Sequence, residues 1–472
     1  MKTAVLAVPV LVLLGCAAPS PAVAPASAAP IPAAPPVAGA TPTEAAPVEP
    51  PAAPASLAFI ENDYPRALAE ARARRVPLFV DAWATWCHTC LSMKSYVFPD
   101  PALRPFAARF VWLSVDTEKE ENASLVTRLG VRVLPTLYVL DSATEKPVLA
   151  WPGSLTAVEL TQLLPDAELA THPNEAGSEA AMALLRGHQA SAASNDEEAI
   201  AAYRAALAAA PPGWPRRPQA VDGLVSRLQD DKQLAACVTL GADEAPKLPA
   251  GTALADVVRA AIGCAEDLPA KAPERKRVAE LAVLGERIAT DLSQPILADD
   301  RSDLYDYVVN ALRDLPGHSP AEAMRVAKSW SAFVDEQAAH APDAAGRAVF
   351  DAHRLLAYIA IGAPERAVPM LQQSERDFPA DYNPPARLAT AYLKIRHYDD
   401  ALAAVKRALD RAYGPRKLRL FALEADIYEA KKDHAAARKS LEDAIDFAGK
   451  VPLTGGYPHL REALEKRLAR LK

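Results

Sequence analysis

The feature that most restricts the fold is a recurrence in the second half of the chain. Tyr358, Ala367, Leu371 and Pro379 return 34 residues later as Tyr392, Ala401, Val405 and Tyr413. After a further 36 they return as Tyr428, Ala437 and Leu441, with Ala408 matched by Ala444. A fixed period of this length marks a stack of helical pairs, none of which buries its apolar face alone. The register predicts a helical solenoid over 346–448, carried on to 472. An isolated unit is expected over 178–212, where Gly187, Ala199, Tyr203, Ala206 and Pro211 fall at spacings of 12, 4, 3 and 5. Small residues would sit where paired helices touch, the aromatic would fill the gap, and the proline would end the unit. Between them, 213–345 keeps helical patterning, as in Arg275 to Ile288 and Leu304 to Leu315, without a clean period. The whole of 178–345 therefore reads as one clear repeat followed by degenerate ones.

A chain of 472 residues exceeds one ordinary core, so two or three domains are expected. Its net charge of -7 argues against nucleic acid, which wants clustered Lys and Arg. Scarce aromatics, at 6%, and abundant alanine favour packed helices.

Residues 1–16 read as an export signal: Lys2, then an apolar run from Ala4 to Leu14 too short to span a bilayer. It ends in Leu13-Leu14-Gly15-Cys16, which resembles a bacterial lipoprotein box with Cys16 as the lipidated residue. Cleavage further on, after Ala26-Ser27-Ala28, is the alternative, and either places the protein outside the cytoplasm. The resemblance implies a protein of the bacterial cell envelope that faces the periplasm and touches membrane only through its lipid. Ala17, rather than Asp, after Cys16 favours the outer membrane. Residues 17–56, almost all Ala, Pro, Ser, Thr and Val, cannot bury enough surface to offset chain entropy. Proline-rich chain of that length reaches on the order of 100 Å.

Composition changes abruptly at residue 57. Asp63 and Pro65 suit a helix start, followed by helix to Arg75; Glu70 and Arg74 form an i,i+4 pair. A short apolar run, Pro77 to Trp83, reads as a buried strand. The turn Ala84-Thr85-Trp86-Cys87-His88-Thr89-Cys90 follows, then helix to Tyr96. Further strands are expected at Phe110–Asp116, Pro135–Leu140 and Val148–Trp151, with helices at Ala123–Leu129 and Thr156–Leu164. The order is an α/β one, a mixed sheet flanked by helices over 57–165.

The chemistry of this segment is legible from the residues. Thiolate attacks a disulfide, so the first of two cysteines needs a lowered pKa, which a helix N-terminus at Cys87 favours. His88 can add a donor or positive charge, or be only a solvated turn residue. Cys90, one turn on, would resolve the mixed disulfide and needs a proton acceptor. Asp81, inside an apolar strand, would have a raised pKa suited to that exchange near neutrality; a cap or a salt-bridged core residue is the alternative. Half a zinc site is disfavoured, because Cys16, Cys237 and Cys264 form no second such pair. Cys237 and Cys264, 27 apart in apolar helical stretches, are either a structural disulfide or two buried thiols. The histidines show no metal-ligand clustering along the sequence, and no metal or separate cofactor is expected beyond a redox-active Cys87–Cys90 pair.

Val80 to Cys90 resembles the active-site strand and turn of the thioredoxin superfamily, with Trp86 immediately before the pair. Leu134-Pro135-Thr136 matches the family's cis-proline loop and Gly153 the glycine before its last helix. Tyr96 to Pro101 is similar to the periplasmic electron-donating branch, which includes the C-terminal domain of the transmembrane disulfide-reductase conductor. The repeat spacings resemble tetratricopeptide units. The resemblance implies Cys87 as nucleophile, Cys90 as resolver, Asp81 as buried acid–base and Pro135 as the shaper of a substrate edge. It also implies a membrane electron donor, exported proteins with disulfides as substrates, and a protein partner on the repeat surface. One departure stands out: the strand Trp112-Leu113-Ser114-Val115 carries no lysine where cytosolic thioredoxins place one near the aspartate. The dipeptide His88-Thr89 does not fix the direction of electron flow. The sequence thus predicts a thioredoxin-type thiol-disulfide oxidoreductase, with a reductase favoured over an oxidant. The rival is an envelope repeat scaffold whose first domain is a structural module or redox sensor.

Overall fold

The structure, a computed structural model, describes residues 56–170, 178–314 and 320–471. The export signal with Cys16, and the Pro/Ala-rich segment to residue 55, lie outside the described residues. Among the described residues no helix is long and apolar enough to cross a membrane.

The first domain is a five-stranded sheet of β1 (Phe59–Glu61), β2 (Leu78–Trp83), β3 (Val111–Asp116), β4 (Thr136–Leu140) and β5 (Pro147–Pro152), in the order β1-β3-β2-β4-β5. β1 and β2 both run parallel to β3, while β4 is antiparallel to β2 and β5. β1 is absent from the sequence reading, because three residues carry no period and only pairing with Trp112, Leu113 and Ser114 makes them a strand. Helix α1 (Tyr64–Arg74) starts where Asp63 accepts a hydrogen bond from the Arg66 N–H.

β2 lies centrally and is covered on both faces, which explains its unbroken apolar run. Phe79 packs on one side with Met93, Val97, Phe98, Trp112 and Leu160. Leu78, Val80 and Ala82 pack on the other with Leu68, Leu113 and Leu125. Asp81, by alternation, shares the face of Phe79. Helix α2 (His88–Ser92) leads into a π-helical turn at Met93–Val97, then α3 (Ala123–Leu129) and α4 (Ala157–Ala170) follow. The last helix therefore runs six residues past the expected Leu164, through Pro165. The buried stripe Leu160, Leu163, Leu164, Ala167 continues across the proline, so packing overrides the lost N–H donor.

Beyond residue 178 every described segment is helical, a solenoid of antiparallel pairs. The repeating positions perform the roles their spacing implies: Tyr358, Ala367, Leu371, Ala401, Val405, Ala437 and Leu441 are all buried between helices. In the isolated unit, a Cβ on Gly187 would lie 2.6 Å from the Tyr203 ring, so only glycine admits that aromatic. Cys237 and Cys264 are joined by a disulfide linking helices Leu234–Glu244 and Thr252–Asp267.

The arm does not stand apart from the first domain. Tyr413 donates to the Asp116 carboxylate, Tyr457 to Glu118 at 2.7 Å, and the Arg416 N–H to Glu118 at 3.0 Å. Ser154 donates to Asp300 at 2.6 Å. Gly414 lies at φ 61°, and a Cβ there would sit 2.0 Å from the Glu118 carbonyl oxygen, so this close approach requires glycine. One face of the repeat arm is thus occupied by the chain's own α/β domain.

Candidate active site

Cys87 caps α2 and is joined to Cys90 by a disulfide, with Cα atoms 5.2 Å apart. The Cys90 N–H donates to Cys87 Sγ at 3.1 Å, an interaction that strengthens when the sulfur carries negative charge. Cys87 is 4% exposed and Cys90 fully buried, so an attacking partner reaches Cys87 first. The Leu134–Pro135 peptide is cis, and Leu134 shares a cavity wall with Cys87. That cavity, about 560 Å³, is closed on its far side by the arm through Leu355, Tyr382, Asn383 and Arg387.

Trp86 is fixed on the rim. Its Nε1–H donates to Glu118 at 2.9 Å, and the Arg416 guanidinium stacks 4.4 Å from its ring. Thr85 donates to the Tyr382 hydroxyl at 3.2 Å and accepts from Asn383 at 3.3 Å. Glu118, which receives Trp86, Tyr457 and Arg416 together, is pushed above the usual carboxylate range by burial, partly offset by those donors. None of these arm residues carries a sequence signal for the site, since each arrives from a distant repeat.

Asp81 is 1% exposed and pushed up to about 7, first by burial, with Lys94 opposing the rise. Neither carboxylate oxygen makes a hydrogen bond of normal geometry among the described residues; the Ser114 side chain, opposite on β3, is its nearest donor. The carboxyl lines a cavity of about 290 Å³ with Glu61, Lys94 and Phe98. It shares the sheet face of Phe79, which packs against Met93 and Val97 in the turn that continues the helix of Cys90. The lysine missing from β3 is supplied from elsewhere: Lys94, in the π-helical turn, donates to Ser114 at 2.7 Å and stacks 3.7 Å from the Trp83 ring. Lys94 follows Cys90 by four residues, one helical turn, and that spacing was the visible clue.

His88 turns toward the arm rather than to open solvent. Its ring meets His353 edge-on with centroids 4.1 Å apart, and lies within 4.0 Å of the Asp299 and Asp303 carboxylates. Burial lowers its pKa, opposed by Asp299; its side chain is 28% exposed and lines the cavity. His353 had no role in the sequence reading, because nothing in residue spacing relates it to His88.

Residues 59–142 match a family model described as thioredoxin-like. Thioredoxin C-3 of Corynebacterium nephridii is 33% identical over 89 residues, which are 19% of this chain and 57% of that protein. The thiol:disulfide interchange protein DsbD of Salmonella typhi is 29% identical over 121 residues, 24% of this chain and 21% of that protein. The chain thus spans little more than half of the first relative and about a fifth of the second. A tetratricopeptide repeat protein from Parabacteroides merdae superposes with a TM-score of 0.41 at 11% identity, covering 62% of this chain and 99% of that one. The 59–152 segment is a thioredoxin-like fold, and the described residues from 178 on form a long all-helical region.

Proposed function

We propose that this chain is an extracytoplasmic thiol-disulfide oxidoreductase that reduces disulfides of exported proteins. The observation that carries the reading is the Cys87–Cys90 pair, closed at the mouth of a cavity shared with the cis-proline loop, with the buried Asp81 on the central strand that leads into it. In the reducing direction the Cys87 thiolate attacks one sulfur of a substrate disulfide. The S–S bond breaks, a mixed disulfide forms, and the departing thiolate takes a proton. Cys90 then gives its proton to the Asp81 carboxylate and attacks Cys87 Sγ, releasing the second substrate thiol. Two electrons pass to the substrate and the pair is left as the disulfide. A dithiol donor must reopen it, and a membrane electron donor is assigned that step.

The redox pair itself serves as the only cofactor of this reaction. The lipoprotein box at Cys16 supports anchoring in the envelope facing the periplasm, with the outer membrane favoured. The cavity wall contributed by the arm supports a role for the repeats in admitting clients, and the remaining repeat surface is available to a protein partner. The test is exchange with a disulfide-bonded protein substrate by wild type and Cys87→Ser. The account expects loss of turnover in the variant, with Cys90→Ser trapping the mixed disulfide. Equal rates in wild type and Cys87→Ser would leave the repeat scaffold, with a structural first domain, as the better reading.

A further inference from the structure

The seam between α2 and the arm buries more acid than base. Asp222, Asp299 and Asp300 are nearly or wholly inaccessible, and Asp256, Asp303 and Asp306 flank them. The Arg259 guanidinium that they surround is held by Asp256 at 3.1 Å. Against this excess stand Arg259, Arg387 and two imidazoles, His88 and His353.

Three of these residues bring donor atoms together, and Asp303 stands beside the other nitrogen of the His88 ring. One ligand atom each from His88, Asp299 and His353 lie within 4.8 Å of one another. His88 Nδ1 is 4.0 Å from Asp299 Oδ2. Asp303 Oδ1 stands 3.8 Å from His88 Nε2 and 3.7 Å from His353 Nδ1. These separations are too long for hydrogen bonds, and side chains drawn in to about 3.3 Å would fit a tetrahedral ion with bonds of about 2.0 Å. The same groups are poorly partnered: Nε2 of His353, 1% exposed, has no hydrogen-bond partner among the described residues, and the Asp299 carboxylate, 0% exposed, makes no hydrogen bond of normal geometry, with the Ser92 side chain its nearest donor. Buried polar atoms without partners are costly, and a carboxylate so placed calls for a cation. His88 Nδ1 also meets the Thr89 hydroxyl at 3.2 Å, which can turn away or hold the ring from behind.

We infer that His88, Asp299 and His353 form a binding site for a divalent transition-metal ion beside the redox pair. Two imidazoles and a carboxylate suit zinc, cobalt or copper, and not magnesium or calcium, which prefer all-oxygen shells. His88 borders the redox cavity, which gives an ion its route and leaves a coordination position for water. The three ligands come from three places: α2, the first turn of helix Ala298–Asp314, and the first turn of helix Asp351–Ala360. A bound ion would therefore clamp two arm helices onto the residue that follows Cys87. This site does not depend on the direction, or the existence, of disulfide exchange.

The test uses the untagged full chain in its oxidised form, so that neither Cys87 nor Cys90 can offer a thiolate. Titration with Co²⁺, read by visible absorption, and with Zn²⁺ against a chromophoric chelator, should each give one equivalent. Asp299→Asn and His353→Gln should each weaken binding by about tenfold or more, since even the loss of supporting residues around metal ligands has effects of that size. If His353→Gln does not fold, Asp299→Asn, which keeps shape and removes only charge, decides alone. No binding to the oxidised chain, or binding unchanged in Asp299→Asn, overturns the site.

Discussion

Replacing Asp81 by asparagine isolates the energetic consequence of burying a carboxyl without a well-formed hydrogen bond. Its pKa is lifted from an ordinary 3.8 to about 7, chiefly by burial. At 1.36 kcal/mol per pH unit, this penalises the folded state by about 4 kcal/mol once the group ionises. The folded form holds this proton more tightly than the unfolded chain. The associated stability is therefore complete below about pH 4, declines as pH rises, and is fully lost above about pH 7. Asparagine has no such slope. Its amide meets the same poorly partnered surroundings, which adds an offset independent of pH. Urea unfolding of oxidised wild type and Asp81→Asn between pH 4 and pH 9 should show the variant gaining on wild type across that window. The gain should approach about 4 kcal/mol by pH 8. A difference that stays flat with pH would mean Asp81 ionises like a surface carboxylate, and the proton-acceptor role assigned to it would fail.

Removing the opposing cation should act in the other direction: Lys94→Met raises the pH at which Asp81 ionises, because Lys94 lowers it. The acid limb of the exchange pH–rate profile should move upward, and an unmoved limb would separate Lys94 from Asp81. Replacing both Cys237 and Cys264 by alanine opens a loop of 27 residues. It should cost about 3.5 kcal/mol of stability in thermal unfolding while leaving exchange at Cys87 intact; an unchanged melting temperature contradicts this. Gly414→Ala places a Cβ 2.0 Å from the Glu118 carbonyl at a φ of 61°. It should cost about 1–3 kcal/mol and loosen the arm from Trp86, read as a shift in tryptophan emission; unchanged emission and stability would show that the approach is not tight.

The α/β domain was legible because its signals are local. An apolar run of strand length, two cysteines a turn apart at a helix start, and Leu134-Pro135-Thr136 are each contained within a few residues. β1 was not legible, since a three-residue edge strand exists only through its partner. The extension of α4 through Pro165 was hidden because a local breaker was overruled by a buried stripe on the same helix. The repeat array announced itself through its period, yet its seating on the first domain left no trace. Tyr382, Tyr413 and Arg416 look like ordinary repeat residues until the fold brings them to Trp86 and Glu118. The meeting of His88 with His353 and Asp299 is of the same kind: chemistry assembled by tertiary contact between residues that spacing cannot relate. Lys94 lies between these cases, visible as the residue one turn beyond Cys90 but overlooked because the cation was sought on β3.

The central claim, that Cys87 and Cys90 are a working redox pair in the folded chain, is tested most directly by equilibrating the full chain with graded thiol–disulfide buffers. Each cysteine is then counted by alkylation and mass analysis. Cys87–Cys90 should open and close reversibly, with a potential nearer about -270 mV than about -120 mV, while Cys237–Cys264 stays closed throughout. A Cys87–Cys90 pair that opens only when the protein unfolds would contradict the account.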